Sequence, residues 1–217
     1  MATQLNLKEI ERKAFRSTYQ DGLWDLYLGV IVMLMAIYIH RPADGYSPMN
    51  LILLLLSFVV AFSLFWAGKK FITLPRMGQV RFGAMRKQKK TTLAIILGLV
   101  IAVQIGIVGL TALGRAIPTL SAWVSDLFNT QNLELLAVAA LGSLFVGPSM
   151  ILVAHFTDFP RGYYIAILMS LAVFMMIYLN QPVYAILIGA LIALPGIVLF
   201  VRFLRKYPLP PPTVTHG

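Results

Sequence analysis

"YYIAILMSLAVFMMIYLNQPVYAILIGALIALPGIVLFVR", Tyr163 to Arg202, carries no charged side chain before its last residue. An α-helix rises 1.5 Å per residue and the hydrocarbon core of a bilayer is about 30 Å thick, so one crossing takes roughly 20 apolar residues. This stretch holds twice that. Read as one helix, it would strand roughly 20 apolar residues outside the core. Read as two, it is a hairpin turning at "NQP", Asn180 to Pro182, with Pro182 in the first turn of the second helix, where its missing N–H is harmless. The expected spans are therefore 163–180 and 182–202.

Four further apolar runs qualify on the same count, at 22–40, 50–68, 92–113 and 134–154. Backbone groups in lipid must be satisfied within the segment, so helices are the expected form. The expected fold class is all-α: a polytopic membrane protein, a bundle of six transmembrane helices over 22–206. The composition agrees. The chain is 59% hydrophobic and only 12% charged, against about 25% charged in soluble domains, and its mean hydropathy is +0.82. It has no cysteine, which removes disulfides, thiolate metal sites and thiol nucleophiles.

The formal charge is +10, and its placement sets the expected orientation. With six spans, sixteen of the 18 basic residues fall on one side and only Arg41 and Arg115 on the other. The positive-inside rule makes the first side cytoplasmic, with both termini there and the chain in the cell membrane. The densest cluster is a cytoplasmic loop over 69–91, with Lys69, Lys70, Arg76, Arg81, Arg86, Lys87, Lys89 and Lys90 and no acid. Its expected partners are anionic lipid headgroups, each basic residue contributing about 1 kcal/mol, or a docked cytoplasmic protein. Its few aromatics argue against nucleic acid. "FITLPRMGQVRFG", with Pro75 and Gly78 around a turn, reads as a small hairpin or elbow.

Three other segments flank the bundle. Residues 1–21 have acids among their bases and no cleavage site after the first apolar run, so they read as neither a signal nor a transit peptide. Within them, 5–18 place Leu7, Ile10, Ala14 and Phe15 at helical spacing, as in an amphipathic helix on the membrane surface. Residues 119–128, with Leu120, Trp123, Leu127 and Phe128 on one face, predict a short outer interfacial helix. The tail 207–217, "YPLPPPTVTHG", is proline-rich and reads as disordered. A weak echo links "IYIHRP" at Ile37–Pro42 with "IYLNQP" at Ile177–Pro182; recurring interfacial Tyr and Pro explain it as readily as duplication.

Few residues offer chemistry. Asp21 and Asp25 stand four apart at the mouth of the first span, on one helix face. Asp21 before Gly22 reads as an N-cap, and both acids suit a helix N-terminus facing the basic segment. The sharper alternative is a cation or proton entrance, with Asp25 the deeper group between Trp24 and Tyr27. Gln104 is the one amide well inside a span and is expected to bond to a neighbouring helix. Small residues recur four apart: Gly98 and Gly106 with Ala94 and Ala102, Ser143 and Gly147 with Ala139, and Gly189 with Ala185 and Ala193. Such stripes predict close helix packing. His155, Asp158 and Arg161 gather in "AHFTDFPRG", but a metal site would need a third protein ligand nearby. "GPSM" at Gly147–Met150 has the outline of a rhomboid-type serine motif. That motif needs a histidine in a later span, and only His155, at a membrane edge, and His216, in the tail, follow. The Arg- and His-rich motifs of phosphatidic-acid-type phosphatases are absent. No cofactor is expected.

"KEIERKAFRSTYQDGLWDLYLG" together with "ITLPRMGQVRFGAMRKQKK" resembles a group of uncharacterised prokaryotic multi-pass membrane proteins. The shared pattern is a DGL-type opening of the first span, here Asp21–Leu23, and a Pro-Arg-x-Gly cytoplasmic loop, here Pro75–Gly78. The likeness covers about the first 90 residues. It implies a multi-pass membrane protein and no activity.

Three function classes follow. A non-enzymatic subunit, assembly factor or scaffold is favoured by the charge asymmetry, the packing stripes and the lack of ionisable groups at span centres. A small oligomeric transporter or channel is favoured by the kinks that Pro148 and Pro195 would make. An enzyme has the least support.

Overall fold

The computed structural model describes residues 19–39, 48–77, 84–116 and 131–208. Among them the chain is helical, with no strand. The helices are α1 (Leu23–Ile39), α2 (Pro48–Ala67), a π-helical segment (Gly68–Thr73) leading into a single turn α3 (Leu74–Met77), α4 (Ala84–Ala116), α5 (Gln131–Phe156), α6 (Arg161–Leu179) and α7 (Pro182–Lys206). A helix forms over each apolar run. Four are long and apolar enough to cross a membrane: Met49–Met77, Leu135–Phe156, Arg161–Leu179 and Pro182–Lys206; Leu23–Ile37 and Thr91–Ile107 are shorter apolar helices. The expected surface helices at 5–18 and 119–128 lie outside the described residues. So do Arg81 and all of the tail beyond Pro208. Of Arg86, Lys87 and Lys90 only the backbone is described.

The hairpin at "NQP" forms as the spacing predicts. Asn180 takes the left-handed conformation after α6, at φ 49° and ψ 33°, one of the few non-glycine residues that does so readily. Pro182 then opens α7. The turn before α6 is a Schellman cap. Phe159 N–H donates to Ala154 O at 2.9 Å and Asp158 N–H to His155 O at 3.3 Å, with Asp158 at φ 52°. Phe159 and Ala154 are both buried, which supplies the apolar contact of that motif.

Helix extends into the basic segment from both sides. The second apolar helix continues through Lys69, Lys70, Arg76 and Met77, and α4 begins at Ala84, so helix covers 69–77 and 84–91. The reason is local. No proline lies between Pro48 and Pro75, and Pro75 is the third residue from the end of the continuous helix Met49–Met77, so its missing donor interrupts the bonding only near that end. Long basic side chains can follow an apolar run on one helix because their stems are apolar. The expected hairpin at "FITLPRMGQVRFG" is thereby replaced, up to Met77, by helix.

The chain divides into two compact units: Met1–Phe82 with Ile186–Gly217, and Gly83–Ala185, with the boundary inside α7. In the first, α1 runs antiparallel to α2. Trp24 and Tyr27, at the start of α1, meet Phe65 near the end of α2 with ring centroids 4.7 and 4.9 Å apart. It also runs antiparallel to α7, with Gly22 beside Gly196 and Gly29 beside Gly189. Leu28, Val32, Ala36, Ile188 and Ile192 are buried in this unit. In the second, α5 and α6 form a tight hairpin that buries Ala139, Met150, Ile165, Ala166 and Met176, and α4 packs on α5.

The outer surface is apolar. Leu51, Leu55, Val59 and Leu64 of α2 are exposed, as are Ile167 of α6 and Leu187 of α7. Hydroxyls along these helices turn back onto their own backbone: Ser57 donates to Leu53 O, Ser63 to Val59 O and Ser149 to Phe145 O. Each satisfies a hydroxyl on an apolar helix within its own helix.

Candidate functional site

The chain turns at residues 19–22 before entering α1. Gly22 O accepts the first helical bond, from Leu26 N–H at 3.1 Å, so Gly22 is the N-cap residue. Asp21 caps from one position earlier: its Oδ1 accepts from Leu23 N–H at 3.2 Å, an Asx-type turn. The expected N-cap is thus displaced by one residue. The cause is Gly22, whose φ of +72° suits glycine alone and whose missing side chain admits α7. A Cβ there would overlap Gly196 O and stand 2.8 Å from Leu199 Cβ.

Asp21 is 0% exposed. Its second oxygen, Oδ2, accepts from Lys69 Nζ and from Thr73 Oγ1, each at 2.7 Å. Lys69 and Thr73 lie four apart on the π-helical segment. That segment includes the wide turn closed by Leu74 N–H donating to Lys69 O, and both side chains reach one carboxylate. Lys69 is 15% exposed and its ammonium lies 5.9 Å from the centre of the Phe65 ring. Removing one partner from a buried pair of this kind typically costs about 3–5 kcal/mol.

Asp25, one turn further along α1, is also 0% exposed. It sits where α1 crosses α7. A Cβ placed on Gly196 would meet Leu26 N at 2.7 Å and Asp25 Cβ at 3.0 Å. Pro195, inside α7, adjoins this point and removes a helical donor there. The two acids therefore share one buried region, but the structure gives them different neighbours.

The described basic residues have different neighbours. Lys69 turns inward to Asp21. Lys70 turns outward, its ammonium 4.8 Å from the Trp66 ring centre and 5.4 Å from that of Phe71. Arg76 donates from Nη1 to Ile72 O at 2.9 Å. Lys89 is exposed on α4. His155, Asp158 and Arg161 belong to the Schellman turn: His155 Nδ1 is 3.4 Å from Tyr163 Oη, and Arg161 lies over Phe159 at 5.5 Å. Among the described residues, no three His, Asp or Glu side chains gather as a metal ion would require.

Of the packing stripes, two lie at helix contacts. A Cβ on Gly189 would meet Met33 Cγ at 2.6 Å and Gly29 O at 2.8 Å. A Cβ on Gly147 would meet Ser170 at 3.1 Å, and Ser170 Oγ donates to Ser143 O at 3.0 Å. An open groove of about 380 Å³ runs beside that contact, lined by Ser143, Gly147, Pro148, Ser170 and Phe174 among others. The third stripe differs. Gly98 and Gly106 on α4 are exposed, with nothing within 4 Å of either, and Gln104 between them is half-buried. Residue spacing alone could not say which stripe has a helix across from it.

The reading by spacing missed Gly22, Gly29 and Gly196. Gly22 and Gly29 are seven apart, as are Gly189 and Gly196. Seven residues are two helical turns, so each pair lies on one stripe. A search for steps of four passes over them. No protein family, curated protein or solved structure matches the chain.

Proposed function

We propose that this chain is a six-span integral membrane protein of the cell membrane, with both termini on the cytoplasmic side, and that it works as a non-enzymatic subunit, assembly factor or scaffold. The observation that carries this reading is the use of Asp21. It receives an N–H, a hydroxyl and an ammonium in one buried cluster, which ties the opening of α1 to the end of the second apolar helix. Asp21, one of the two acids that looked most like a reactive site, serves as a structural fastening. The resemblance to prokaryotic multi-pass proteins is part of the same proposal.

The first unit supports the orientation. Asp21 meets Lys69 and Thr73, while Gly22 meets Gly196 and Leu199. The start of α1 and the final turns of α2 and α7 therefore share one end. Lys70, Arg76, Arg202, Arg205 and Lys206 follow those turns, so the basic residues of two helices collect where positive-inside ordering puts the cytoplasm. That end would meet anionic lipid or a protein partner, and a second copy of the chain is one such partner.

Native mass spectrometry of gently extracted protein tests the proposal. A reproducible co-purifying polypeptide is expected; a chain that always emerges alone would overturn it. The second reading is a small oligomeric transporter. The buried Asp25 beside Pro195, which removes one donor from the otherwise continuous α7, favours it, because interrupted helix bonding often borders substrate sites. It predicts that Asp25→Asn abolishes flux in liposomes while the fold survives.

A further inference from the structure

Consecutive lysines divide their work. Lys69 is committed to Asp21, whereas Lys70 is exposed and held between Trp66 and Phe71, which are themselves 54% and 66% exposed. We propose that the Trp66–Lys70–Phe71 bracket binds the phosphate of an anionic phospholipid headgroup. This rests on the reading of Met49–Met77 as a span.

Three observations carry it. The first is what surrounds the bracket. Only 6% of the apolar window of Met49–Met77 is buried, so the helix leading up to Lys70 presents its apolar side chains outward, as to acyl chains. Aromatic and basic residues at the end of such a helix sit at headgroup level. The second is charge. In this unit Asp21 and Asp25 are the only carboxylates among the described residues, and both are fully buried. Lys70, Arg202, Arg205 and Lys206 are all exposed. Among the described residues of this unit no exposed carboxylate offsets them. The third is preorganisation. An ammonium over two ring faces loses part of its freedom before a ligand arrives, yet Lys70 stays exposed. A phosphate bound there would order few further side-chain torsions.

The test uses the full chain in phosphatidylcholine nanodiscs doped with phosphatidylglycerol, counting retained lipids by native mass spectrometry. The expected result is a retained phosphatidylglycerol that falls about fivefold in Lys70→Gln, the factor for one basic contact at a membrane surface. Lys70→Arg should restore most of it. Trp66→Leu, which keeps every charge, should lower it as well. Arg205→Gln removes the same charge from the same end and should leave retention near wild type. Equal losses in Arg205→Gln and Lys70→Gln would mean a diffuse field and overturn the site. So would unchanged retention in Lys70→Gln. Circular dichroism checks that each variant folds. Alkaline carbonate extraction separates the two levels: release of the wild-type chain from the membrane sinks the spanning reading, whereas retention in the membrane without lipid preference sinks only the bracket.

Discussion

Asp21 and Lys69 face different alternatives once their bond is cut. Asp21 is 0% exposed and cannot reach water without moving α1 or α7. Lys69 is 15% exposed on a long stem and can swing outward. In Lys69→Met the carboxylate stays buried with only the Thr73 hydroxyl and Leu23 N–H, so the loss should approach the 3–5 kcal/mol typical of a broken buried pair. In Asp21→Asn the cap acceptor survives and the ammonium escapes, so the loss should be smaller, about 2 kcal/mol, with partial exposure weakening the pair further. The double variant Asp21→Asn/Lys69→Met should then be more stable than the sum of the single losses predicts, by about 2 kcal/mol. Equilibrium unfolding in mixed detergent micelles, followed by circular dichroism, measures all four proteins. Additivity within about 0.5 kcal/mol would refute the pairing. A milder effect in Lys69→Met than in Asp21→Asn would refute the argument from burial.

Glycine substitutions should change sign with position. Gly29→Ala pushes a methyl to 2.5 Å from Gly189 O and 2.7 Å from Ala193 N, and backbone cannot step aside, so it should destabilise by about 1–3 kcal/mol. Gly98→Ala meets open space and should stabilise by up to about 1 kcal/mol through helix propensity; the same detergent titration reads both. At the α5–α6 turn, Asp158→Gly should be more stable than Asp158→Ala by about 1 kcal/mol in thermal melts, because both lose the carboxylate and only Ala strains the left-handed backbone. Ser170→Ala removes the bond to Ser143 O and should cost only about 0.6 kcal/mol, the usual worth of a hydrogen bond between membrane helices.

Helix positions were legible because their causes are local. The apolar runs are long, and "NQP" contains both a residue that tolerates the left-handed turn and one that opens a helix. The helix runs past the end of its apolar run into the basic segment, because Lys69 and Lys70 end its apolar character and not its backbone pattern. Asp21 was expected to face that segment, but the choice of Lys69 over Lys70 is geometric. Adjacent helical residues point about 100° apart, so one can turn inward only if the other turns out. The small-residue stripes show the remaining limit. Gly98 and Gly189 have similar neighbours in sequence, and what separates them is the helix opposite, which local pattern does not encode.

The π-helical segment gives the chain a sensitivity to length as distinct from composition. Its wider turn holds one residue more than the α-helical turn it replaces. Deleting a single residue between Gly68 and Leu74 would let the backbone relax into an unbroken α-helix with every hydrogen bond retained. With the surplus residue gone, Leu74 onward would keep its facing, but Lys69 and Thr73 would stand three residues apart instead of four and meet Asp21 in a changed geometry. A one-residue deletion among Lys70, Phe71 and Ile72 should therefore act on this contact while the helix is retained. The segment behaves as a spacer whose length sets one contact and not the path of the helix beyond it.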